Sequence, residues 1–124
     1  MSRRLRVLIA DDYPGMVRAI SRLLALEYDI VGTVADGSGV LEAVQRLQPD
    51  VIVLDMSLPD IDGAKVCRQI TQENPDMKVI VYSAMDDPAV RQRAFAAGAS
   101  AFVHKRGSGT DLLAAVQSLA DNGG

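Results

Sequence analysis

Apolar residues along the chain follow two rhythms. Short β-branched runs at residues 5–10 (LRVLIA), 29–34 (DIVGTV), 51–55 (VIVLD), 78–83 (KVIVYS) and 100–104 (SAFVH) predict strands, the second interrupted by Gly32. The stretches between them repeat apolar residues every three or four positions, the helical period. The first helix is expected to begin at Pro14, a favoured first-turn residue, and to align Val17, Ile20 and Leu24. The second is expected after the DGSG stretch, residues 36–39, with Val40, Val44 and Leu47 inward. The third follows the Asp62-Gly63 turn and carries Val66, Cys67 and Ile70. In the fourth, Asp87 caps, Pro88 follows, Val90 and Ala94 face inward, and the helix stops near Gly98. The fifth reads as a capping box from Ser108 to Asp111, then Leu112, Val116 and Leu119, with DNGG as a stop.

Five strand–helix units predict an α/β fold, a doubly wound five-stranded parallel sheet with five helices and strand order 2-1-3-4-5. Continuous apolar runs such as VIVL suit strands covered on both faces. The 124 residues form one domain on this reading, long enough for a core without disulfide or metal staples. A net charge of −3 leaves no basic footprint for nucleic acid, and Arg3, Arg4 and Arg6 read as a solvated end. The lone Cys67 cannot form an internal disulfide and reads as a small buried hydrophobe in a reducing compartment. No apolar run approaches membrane-spanning length, and MSRRLRVLIADD turns acidic too early for a signal peptide. A cytoplasmic domain without a membrane partner is expected.

Ligands of such sheets bind beyond the carboxyl ends of the strands, where the strand order reverses. The polar residues there can be read directly. The first strand ends in Asp11 and Asp12, the third in Asp55, the fourth in Ser83, and the fifth leads into Lys105. Three carboxylates raise one another's proton affinity unless a cation joins them. Hard oxygen donors suit Mg²⁺, and the single histidine, His104, offers no basis for zinc. A metal, a lysine and a hydroxyl around a carboxylate match the needs of a phosphoryl group, and the carboxylate itself can be the nucleophile. Each residue has an ordinary alternative: helix-cap and turn chemistry for the Asp pair, a turn for Asp55, a loop hydroxyl for Ser83, a surface charge for Lys105. Their joint placement is what points to a site.

With VLIADD, PDVIVLDMSLPDIDG, VIVYSA and AAGASAFVHK at these spacings, the chain resembles the receiver domain of bacterial two-component response regulators, over essentially its whole length. DDYPGMVRAISRLLA and LDMSLPDIDG look most like receivers joined to LuxR/NarL-type helix-turn-helix domains. The resemblance implies a flavodoxin-like, CheY-like receiver over residues 1–121, with 122–124 starting a linker or tail. It implies that Asp55 accepts a phosphoryl group from a phosphohistidine on a sensor histidine kinase. Asp12 and Asp55 would ligate Mg²⁺ directly, Asp11 mainly through water, and the Ser57 backbone carbonyl would complete the protein ligands. Lys105 would pair with the carboxylate and then the phosphoryl oxygens. Ser83 would swing to the phosphoryl group, and Phe102 would turn inward as the aromatic switch. The Ser83 to Met85 loop would then carry the change to helix four and strand five. Output would pass to a DNA-binding domain absent from this chain, with no direct nucleic acid contact here; homodimerisation on phosphorylation stays open.

Three positions add expectations of their own. Arg106 stands where many receivers have a proline, often after a cis bond; a trans bond is expected, since cis before a non-proline costs about 3–4 kcal/mol. Met85 is bulky beside the path of attacking water. His104 is expected to face away from Phe102 and to be neither ligand nor phosphodonor. Other classes are a Mg²⁺-dependent phosphohydrolase or nuclease of the Toprim or haloacid-dehalogenase type, and a degenerate receiver used only for docking. LDMSL lacks the D-x-D pair of the former, and the complete constellation opposes the latter. A flavin-binding protein is disfavoured because DDYPG is acidic where a phosphate loop needs open N–H groups.

Overall fold

The computed structural model describes residues 4–85, 87–106 and 109–122. The strands are β1 (Arg6–Ala10), β2 (Asp29–Val34), β3 (Val51–Asp55), β4 (Lys78–Ser83) and β5 (Ala101–His104). The helices are α1 (Pro14–Leu24), α2 (Gly37–Leu47), α3 (Gly63–Glu73), α4 (Pro88–Ala96) and α5 (Gly109–Asn122). All strand pairs are parallel, in the expected order β2-β1-β3-β4-β5.

Strand pleating sorts the core into two layers. Leu8, Ala10, Ile52, Leu54, Val79 and Val81 face Val40 and Val44 of α2, Val66, Cys67 and Ile70 of α3, and Ala94 of α4. The alternate residues Val7, Ile9, Val51, Val53 and Ile80 face Ile20 and Leu24 of α1 and Leu112 and Val116 of α5. Each fully buried Leu, Ile or Val contributes about 2 kcal/mol of apolar burial. Cys67 lies wholly within the first layer, and burial pushes its thiol up to about 11, so it is an inert core residue.

The differences from expectation are local. α2 begins at Gly37, inside the DGSG stretch, because Asp36 caps it by accepting from the Gly39 amide at 2.7 Å. β2 is irregular: Leu8 pairs with Gly32 where Val7 pairs with Ile30, so Val31 is bulged. A Cβ on Gly32 would stand 2.8 Å from Leu47 Cδ1, and the gap in the strand pattern is thus a packing contact with α2. α5 runs through Asn122, one residue into the expected tail. The cap expected at Ser108 falls outside the described residues. Among the described residues every peptide bond is trans, including the one before Arg106. No helix among them is long and apolar enough to cross a membrane.

Candidate functional site

Because β1 and β3 are neighbours whose outgoing loops leave to opposite faces, a crevice opens between them at the carboxyl rim. Ala10 pairs with Leu54 and Asp55 with Tyr82, so Asp11 and Asp55 emerge side by side. One carboxylate oxygen of each of Asp11, Asp12 and Asp55 lies within 4.8 Å of the others. Asp11 and Asp55 are buried and Asp12 is exposed.

The two buried carboxylates are held alike. Asp11 Oδ1 accepts from the Tyr13 amide at 2.9 Å, and Asp55 Oδ1 accepts from the Ser57 amide at 3.0 Å. Their Oδ2 atoms share one cation: Lys105 Nζ is 2.8 Å from Asp11 and 3.2 Å from Asp55. The ammonium also lies 5.7 Å from the centre of the Tyr82 ring. Burial lowers the proton affinity of Lys105, but the Asp11 hydrogen bond and the charges of Asp55 and Asp11 outweigh it, raising its pKa above the usual 10.5. Its stabilising contribution is therefore complete below 10.5 and is lost only as pH rises through the higher folded value.

Three carboxylates against one ammonium leave two negative charges uncompensated, the charge of one divalent cation. All the side-chain donors are hard oxygens, so the residues fit a hard divalent cation and not a softer metal. Of the ordinary reading of the Asp pair, the helix cap does not hold, since the cap residue of α1 is Tyr13 and no side-chain bond caps it, while the turn does, through Asp11 Oδ1 and the Tyr13 amide.

The loop from Met56 to Asp62 is pinned along its length. Leu58 is buried in the core, and Asp62 caps α3 through the Ala64 amide at 3.1 Å. Asp60 reaches across to α2, Oδ1 accepting from Gly37 N at 2.6 Å and Oδ2 from Ser38 N at 3.1 Å. The Gly37 bond is the main reason the Asp60 carboxyl sits below its usual 3.8. That contribution is present above 3.8 and fades as pH falls through the lower folded value. At the loop's end, a Cβ on Gly63 would stand 2.6 Å from Met56 Cα and 2.9 Å from Met56 O. Gly63→Ala is thus expected to destabilise by about 1–3 kcal/mol, as overpacking does. An unstrained helical Gly→Ala change would instead stabilise by about 0.5–1 kcal/mol, so the sign of the shift in urea unfolding decides the matter.

Ser83 is fully buried; its Oγ accepts from the Met85 amide at 3.1 Å, and its carbonyl accepts from the Lys105 amide at 2.7 Å. Phe102 is partly buried against the layer under α2–α4, and the Arg91 guanidinium of α4 lies 5.6 Å from its ring and 5.8 Å from that of Phe95. His104 does not face away from Phe102. The two are two positions apart, so the pleat puts them on one face, with Val103 packed in the opposite layer. Two features were not foreseen: the closer partner of Lys105 is Asp11, and Asp60 ties the acidic loop to α2. Both are long-range contacts with no local sequence signature.

The sequence profile described as the response regulator receiver domain matches residues 7–117. The transcriptional regulatory protein NarL of Mycobacterium tuberculosis is 35% identical over 121 residues, 94% of this chain and 55% of that protein. The chain spans about half the length of the curated relatives it matches. The signal receiver domain of NarL from Mycobacterium tuberculosis superposes with a TM-score of 0.91 at 32% identity, covering 97% of this chain and 98% of that one. The isolated REC domain of RcsB from Salmonella enterica serovar Typhimurium, solved in the presence of phosphomimetic BeF₃⁻, gives a TM-score of 0.90 at 26% identity, covering 96% and 90%.

Proposed function

The chain belongs to the response regulator receiver domain family, and from that membership we propose that it takes a phosphoryl group onto Asp55 with Mg²⁺ in the acidic cup. The observation that carries this reading is the buried pair Asp11–Asp55 sharing Lys105 beside Asp12, two negative charges in excess. Asp12, Asp55 and the Ser57 carbonyl would be its direct ligands, with Asp11 acting mainly through water. When bound, the metal neutralises charge on the incoming phosphoryl oxygens. Lys105 supplies the second positive charge, and the Asp55 oxygen facing it is the nucleophile.

The donor is a phosphohistidine of a sensor kinase, and the domain is a switch that acts on itself, not a metabolic enzyme. Phosphorylation adds a dianion beside a lysine; Ser83 turns to bind it, the loop to Met85 follows, and Phe102 moves inward. The relatives are transcriptional regulators, and the output here is a DNA-binding domain outside these residues, with the receiver itself not touching DNA. The domain works in the cytoplasm over residues 1–121. The hydrolase reading has no observation in its favour, because Met56 and Ser57 follow Asp55 without a second acid. Incubation with a small phosphodonor tests the proposal: stoichiometric, acid-stable and alkali-labile label that requires Mg²⁺ is expected. Multiple-turnover cleavage without label would overturn it.

Met85 is half-exposed at the end of the β4 loop, its amide on Ser83 Oγ. Its side chain is expected to obstruct the water that hydrolyses the phosphoaspartate. Met85→Ala should therefore shorten the label's lifetime, and an unchanged decay rate would show that the side chain does not screen the site.

A further inference from the structure

His104 carries two bonds that the reading above does not use. Its Nδ1 is 3.2 Å from the Arg106 amide, and its Nε2 is 3.1 Å from the Ala84 carbonyl. A backbone N–H can only donate, so Nδ1 accepts from Arg106 and Nε2 is the ring nitrogen that donates to the Ala84 carbonyl. The amide exists only because residue 106 is not proline. One imidazole thus joins the loop after β4, one residue beyond Ser83, to the turn after β5, one residue beyond Lys105.

We infer that His104 is a positioning residue, a latch that holds the β4–α4 loop to the strand leading to Lys105 and so restrains Ser83 from moving. This rests on the reading of Ser83 as the relocating hydroxyl, but the latch itself is a property of the metal-free chain. Beyond the Ser83 carbonyl, which accepts from the Lys105 amide at 2.7 Å, the described residues of the loop have few other holds: Ala84 and Met85 are exposed, and the Met85 amide donates to Ser83 Oγ. Releasing Ala84 therefore frees the peptide units that must shift when the hydroxyl turns.

Two substitutions separate the halves of the latch. In His104→Asn the side-chain oxygen occupies the place of Nδ1, keeping the Arg106 bond and losing Ala84. In His104→Gln the terminal amide reaches the place of Nε2, keeping a donor for Ala84. Amide hydrogen exchange at Met85, read by NMR in chelator, is expected to rise about fivefold in His104→Asn, the change that one lost hydrogen bond brings, and to stay at the parental rate in His104→Gln. Affinity for beryllofluoride with Mg²⁺ should rise by a similar factor in His104→Asn alone, at matched thermal stability. Equal exchange in parent and both variants would overturn the latch, whatever the phosphomimetic does. Faster exchange in His104→Asn, with neither the variant nor the parent binding beryllofluoride, would instead keep the latch and remove the phosphoacceptor reading.

Discussion

Asp55→Asn is expected to reduce phosphoryl uptake from a small donor to background while leaving the fold intact. The amide matches the carboxylate in shape and keeps an oxygen for the Ser57 amide, which now sits 3.0 Å from Asp55 Oδ1. It is far too weak a nucleophile to attack phosphorus, and it removes one negative charge that would help to hold a metal. Lys105 retains its shorter contact, at 2.8 Å to Asp11, so the ammonium does not become an unpaired buried charge. Loss of label with an unfolding midpoint near the parental one is the result to look for. Retained label at the parental rate would mean that another group receives the phosphoryl.

Lys105→Met is the second large effect, and it appears first in stability. The side chain is 14% exposed, and its partners Asp11 and Asp55 are 2% and 5% exposed. Methionine keeps the volume and removes the cation that bridges two buried carboxylates. Stripping one partner from a buried ion pair leaves charge uncompensated, which here should cost about 3 kcal/mol in metal-free buffer. A divalent ion bound in the cup would supply the missing positive charge. The deficit measured by urea unfolding should therefore shrink as Mg²⁺ is raised, while phosphoryl uptake stays low because the phosphoryl oxygens still lack their lysine. A variant as stable as the parent in chelator would show that the carboxylates do not depend on the ammonium.

The layout of the molecule was legible where local chemistry decides it. Pro14, Asp62-Gly63 and Asp87-Pro88 mark helix starts that the structure places at Pro14, Gly63 and Pro88. The apolar strands and the reversal of their order bring Asp11, Asp12 and Asp55 together, so the acidic cup followed from topology. What escaped depends on contacts between distant segments. α2 starts early because Asp60, 23 residues from Gly37, joins Asp36 at its N-terminus. Gly32, the break in the apolar pattern of β2, answers to Leu47 of α2 rather than to anything within the strand. Lys105 reaches Asp11, 94 positions away, as well as Asp55, because the first strand lies beside the third in the sheet. His104 was misplaced for a simpler reason: strand neighbours alternate, and residues two apart do not.

Arg91 rests over two rings at once, Phe95 on its own helix and Phe102 on the adjacent strand. Were Phe102 to rotate into the interior, the guanidinium would keep a single aromatic support and gain room to swing. An event at the acidic cup would then be displayed outside the protein as the freedom of one positive charge, which a binding partner on α4 could sense without touching the phosphorylated site.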